Sequence, residues 1–94
     1  MKSTEYLKWF RKQEFPCIIT MQGAVPHHIV PVGMGRNKKL DLPEHWMLVP
    51  LSNEYHTQGN KSVHKLGIEK FQLRHDVNLY EEGYKFLVKY LEDK

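Results

Sequence analysis

The sequence predicts a small α+β domain, and three observations lead there. Apolar residues recur at helical spacing near both ends of the chain. The stretches between are short, rich in β-branched residues and broken by proline and glycine, as short strands are. The 94 residues, 40% of them hydrophobic, suffice for one core and are too few for two.

The elements follow in order. Residues 3–13, STEYLKWFRKQ, predict a helix with Ser3 or Thr4 as its cap and Tyr6, Leu7 and Phe10 on one face. Pro16 stops it. CIIT, residues 17–20, predicts a strand. MQGA then turns at Gly23, and VPHHIV returns as the second strand of a hairpin. Pro26 and Pro31 make that hairpin irregular, since neither donates a ladder bond. Residues 32–45, VGMGRNKKLDLPEH, predict a loop with two glycines and three basic residues, Arg36, Lys38 and Lys39. WMLVPLS, residues 46–52, is apolar, extended and expected to be buried.

SNEYH opens the next helix, capped by Ser52 or Asn53. Gly59 and Asn60 read as a break, after which a second short helix resumes at Ser62 and runs through IEKFQLRH. LYEEGYKFLVKYLEDK predicts a C-terminal helix with Leu79, Tyr84, Leu87, Val88 and Leu91 toward the core. Gly83 lowers its helix propensity.

Composition bounds the function. A net charge of +3 leans mildly toward polyanions. One cysteine, Cys17, excludes an internal disulfide and suits a reducing, intracellular setting. No apolar run approaches a membrane span, and MKSTEYLKWFRKQ lacks the apolar centre of a signal peptide. The expected location is cytoplasmic.

Six histidines stand out: His27, His28, His45, His56, His64 and His75. His45 and His75 read as structural. His27 and His28 are neighbours on an expected strand, so their side chains diverge to opposite faces and need separate accounts.

The stretch LVPLSNEYH resembles the second half of an HNH motif, in which an apolar segment ending in Pro-Leu runs into a helix carrying metal-binding histidines. PHHI, residues 26–29, resembles the first half, an adjacent acid-or-histidine pair at a hairpin end. GMG, residues 33–35, and the basic run after it resemble phage-encoded members of this superfamily, among them recombination-enhancement nucleases. The likeness spans about residues 15–75. It implies a ββα-metal (His-Me finger) core over residues 15–75, with an N-terminal helix in residues 1–14, a C-terminal helix in residues 76–94, and the whole of residues 1–94 as one nuclease domain.

Residue by residue, the resemblance makes His28 the general base, His27 a metal ligand and His56 the first ligand on the helix. The last ligand is His64, in SVH, or alternatively Asn60. Residues four apart on a helix share a face, which suits Asn60. Residues eight apart lie about 12 Å apart along an unbroken helix, so His64 requires the break at Gly59 and Asn60. Imidazole is the better ligand for most transition metals, which favours His64.

The implied cofactor is one divalent ion: Zn, Mn, Ni or Mg. Three neutral imidazoles suit the first three better than Mg. The implied substrate is DNA, with Arg36, Lys38 and Lys39 on flanking phosphates; a solvated basic loop is the equal alternative. The chemistry is phosphodiester hydrolysis linked to phage recombination or DNA processing. His28 would deprotonate water, and the metal would act as Lewis acid.

Two departures from the family pattern stand in the chain. Ser52 and Tyr55 occupy the positions of a frequent Cys-x-x-Cys, so a zinc ribbon is excluded. Met47 falls near the asparagine that names the motif, and His45 is close enough to hold the loop instead. A non-catalytic zinc-stabilised module that binds nucleic acid or protein is the main alternative, and a metal-free interaction domain the next.

Overall fold

Helical spacing at the N-terminus translates directly into burial. The computed structural model describes residues 2–30, 37, 39–53, 55 and 66–93. Within it, α1 (Ser3–Gln13) buries Tyr6, Leu7 and Phe10 along one face, as their periodicity requires. Its cap differs from expectation. Lys2 is the N-cap residue and Ser3 the first helical residue. The Ser3 N–H and hydroxyl both donate to Asp41, 38 residues on, so a remote carboxylate serves the first turn. Glu14 ends α1 in the left-handed region, two residues before Pro16.

The expected hairpin has a different partner. β1 (Val25–His28) pairs antiparallel with β2 (Leu48–Leu51), with His27 opposite Val49 and His28 opposite Leu48. CIIT is not a strand. Met21 N donates to Cys17 O at 2.8 Å and Cys17 N to Gln22 O at 2.7 Å, so the segment closes into a turn. Met21 sits at φ 62°, which ends extended structure there. One bond joins the segment to β2, from Ile18 N to Pro50 O at 3.1 Å. Pro50 has no N–H to return, so that position cannot propagate a ladder. The β-branched residues of CIIT pack against the core rather than pair.

Pro31 lies outside the described residues, and Pro26 and Pro50 cost the sheet no ladder bond. Ile29 N donates to Met47 O at 3.0 Å, continuing the β1–β2 register as a hydrogen-bonded pair. Bonded and non-bonded pairs alternate in an antiparallel ladder. Pro26 and Pro50, opposite each other, therefore fall at a non-bonded pair.

A 3-10 helix, Pro43–Trp46, leads into β2 with proline at its start. Beyond β2 the chain turns helical at Asn53, with Tyr55 N donating to Ser52 O at 3.0 Å. α2 (Ile68–His75) and α3 (Leu79–Asp93) follow. Asp76 makes the turn between them in the left-handed region. Two side chains serve the start of α3: Gln72 Oε1 accepts from Leu79 N at 2.7 Å, and Asn78 Oδ1 accepts from Glu81 N at 3.1 Å.

The two-stranded sheet divides two cores. On one face Ile29, Val49 and Leu51 pack with Cys17, Phe71 and Leu79, and Tyr55 and Met47 join them. On the other, Leu48 meets Tyr6, Leu7, Phe10 and Tyr90. Tyr6 stacks on Trp46 with centroids 5.5 Å apart and tilts against Tyr90 at 5.0 Å. Trp9 Nε1 donates to Asp93 Oδ2 at 2.8 Å, tying α1 to the end of α3. Two residues expected in the core of α3 are outside it: Tyr84 is 63% and Leu91 48% exposed. Among the described residues, no helix is long and apolar enough to cross a membrane.

Candidate active site

Strand alternation separates the two adjacent histidines. His27 shares its face with Ile29 and Val49, and is 4% exposed. His28 shares the opposite face with Leu48 and is half-buried. β2 leads from Val49 directly into the turn at Ser52–Tyr55, and Tyr55 packs on the core of the His27 face. Tyr55 thus lies on the side toward which His27 points.

On the opposite face, His28 meets a partner. His28 Nε2 lies 2.8 Å from His45 Nδ1, with ring centroids 5.0 Å apart and the planes tilted by 53°. His45 lies in the 3-10 helix and is fully buried. Its Nε2 is 3.2 Å from the carbonyl oxygen of Leu40. A carbonyl only accepts, so His45 Nε2 carries a proton and donates. In a neutral His45 the Nδ1 then accepts, and the N–H that fills the 2.8 Å contact belongs to His28 Nε2. For two neutral rings the chain of donors therefore runs from His28 to His45 to Leu40, and the lone pair of His28 sits on Nδ1.

The loop that supplies Leu40 is itself built by an asparagine. Asn37 Oδ1 accepts from Lys39 N at 3.0 Å, and Asn37 O accepts from Leu40 N at 3.1 Å. Lys39 is exposed, one residue from the carbonyl that holds His45.

Comparison with protein-family models, curated proteins and solved structures returned no match to this chain.

Of the expected site residues, His27, His28 and Lys39 are described. His56, His64, the alternative Asn60, Arg36 and Lys38 lie outside the described residues. Among the described residues no three side chains of metal-binding type converge.

The departures from the HNH pattern acquire physical content. Met47 packs into the core, and its carbonyl receives Ile29 N–H, so it does not act as the missing asparagine. His45 links the loop carbonyl to His28 instead. At the positions without cysteines, Ser52 Oγ is buried and has no hydrogen-bond partner among the described residues. Cys17 ties this corner together. Burial pushes its thiol up, but hydrogen bonds from Thr20, Ser52 and Ile19 outweigh that and hold it below its ordinary value. The Ile19 N–H reaches the sulfur at 3.4 Å.

His45 is the functional candidate that sequence reasoning assigned to structure. Its contact with His28 spans 17 residues. The β1–β2 register is the signal that exposes it, because His28 faces Leu48, three residues beyond His45. His75, also read as structural, packs in the half-buried cluster with Tyr55 at 5.0 Å and Phe71 at 4.5 Å.

Proposed function

We propose that the chain is a metal-dependent endonuclease of the ββα-metal type that hydrolyses phosphodiester bonds in DNA. The observation that supports this reading is the separation of the two adjacent histidines of PHHI onto opposite faces of β1. His27 points to the side on which Tyr55 packs, while His28 meets His45 on the other side.

In this reading His27, His56 and His64, or Asn60 in place of His64, hold one divalent ion. When bound, the ion supplies Lewis acidity toward a phosphate oxygen. The remaining work belongs to the chain. His28 accepts a proton from the attacking water on Nδ1, the nitrogen that its Nε2 bond to His45 leaves basic. The proton passes to a ring whose other N–H is already directed, so His28 need not turn during the step. Lys39, with Arg36 and Lys38, would draw the phosphate backbone toward the loop.

The test uses the full chain without a histidine tag, supercoiled plasmid and Mg, Mn, Ni or Zn in turn. Nicking is expected with at least one ion. His28→Ala is expected to lower its rate by about 100-fold or more, the usual range for removal of a general base. His56→Ala is expected to abolish it. No cleavage by the parent chain with any ion, or undiminished cleavage by both variants, would refute the reading.

A further inference from the structure

We infer that His45 is a positioning residue that sets the tautomer and the ring orientation of His28. The inference stands on two contacts and one burial. Leu40 O takes the Nε2–H of His45, His45 Nδ1 faces His28 Nε2 at 2.8 Å, and His45 has no exposed surface. A fully buried ring cannot exchange its carbonyl partner for water, so its tautomer is dictated from the Leu40 side. Its acceptor nitrogen then dictates which nitrogen of His28 carries the proton.

This does more than pack the loop. A half-buried imidazole on a strand has two tautomers and a torsion about its ring bond to settle. The bond to a fixed acceptor acts on both. It selects Nε2–H, and it aims the opposite nitrogen away from His45. The same fixed acceptor receives the Nε2–H of His28 whether the ring is neutral or has accepted a second proton. The Asn37 turn, which places Leu40, extends the support by one further layer. Outer partners that orient a metal-ligating imidazole contribute about ten- to hundredfold to affinity or activity, and a loss of that order is expected where the imidazole is a base.

The activity arm of the test rests on His28 being the base, and the spectroscopic arm does not. The chain is labelled with nitrogen-15, and long-range proton–nitrogen correlation identifies the protonated nitrogen of each ring. In the parent chain, His28 and His45 are both expected as Nε2–H tautomers at a pH where the rings are neutral. His28 found as Nδ1–H in the parent chain overturns the inference with no variant needed.

His45→Asn offers a side-chain oxygen near the former Nδ1. It is expected to keep His28 as Nε2–H and to keep cleavage within about threefold of the parent. His45→Leu removes the acceptor; His28 is expected to populate both tautomers and cleavage to fall roughly tenfold or more. If His45→Leu proves unfolded by circular dichroism, the parent and His45→Asn spectra decide the matter. An unchanged His28 tautomer in folded His45→Leu overturns the inference, even where cleavage falls. A parent chain that cuts nothing removes the nuclease reading and leaves the tautomer result to decide the role of His45.

Discussion

Tyr6 shows how little of a residue's role its type reveals. Its ring is completely buried among Trp9, Phe10, Trp46 and Tyr90, and burial drives its phenol well above the ordinary range. Its hydroxyl has no hydrogen-bond partner among the described residues. A buried hydroxyl without a bond is a cost, so Tyr6→Phe is expected to stabilise the chain by about 1 kcal/mol. A higher urea midpoint with an unchanged slope would bear this out, and a lower midpoint would reveal a partner for the hydroxyl. The burial of Tyr6 was legible from helical spacing; the state of its hydroxyl was not, because that depends on what the ring meets across the core. The histidines divide the same way. The divergence of His27 and His28 follows from strand geometry alone. The bond from His28 to His45 does not, since assigning CIIT as the partner of β1 hides the register that brings the two rings together.

At the scale of elements, α3 was legible in extent and only in part in orientation, with Leu79 and Leu87 packed as expected. Its apolar residues cover more than one face, so periodicity leaves two stripes open. Tyr84 and Leu91 face outward, while Leu79, Gly83 and Tyr90 are buried and Phe86 and Leu87 pack beside them. Gly83 is the reason. The helix crosses the sheet there, and a Cβ built on Gly83 would lie 2.8 Å from Ile29 Cδ1, 3.4 Å from Met47 Cε and 3.5 Å from Leu48 O. A residue that looks like a defect by helix propensity is the point of closest approach. Gly83→Ala sets a gain of about 1 kcal/mol in propensity against displacement of one terminal methyl of Ile29. The net change is expected to stay within about 1 kcal/mol. Gly83→Leu extends toward the β2 backbone, which cannot yield, and is expected to lose about 3 kcal/mol. Urea unfolding of both variants measures this. Equal stability of the two would mean that α3 does not cross the sheet at Gly83.

For the molecule as a whole, the decisive ties run between segments that are distant in sequence. The aromatic cluster and the Trp9–Asp93 bond join the terminal helices. The Ser3–Asp41 bonds join α1 to the segment that also carries Leu40 and His45. No local pattern announces the second tie, because Ser3 looks like a cap for its own helix and Asp41 like an ordinary loop acid. Its consequence is a pH dependence. The Ser3 hydroxyl and N–H, with help from the nearby Lys2 and amino-terminal charges, hold the Asp41 carboxyl below its ordinary value. A carboxyl with a lowered folded pKa binds fewer protons folded than unfolded. Its contribution is therefore complete above the unfolded value of about 3.9, and is lost as the pH falls through the lower folded value. Asp41→Asn keeps an acceptor for Ser3 and removes the charge. The variant is expected to be less stable than the parent at pH 7, with the difference shrinking toward zero as the pH drops below about 4. Urea midpoints at neutral and acid pH read this directly, and a difference that stays constant across the range would show that Asp41 holds α1 by shape alone.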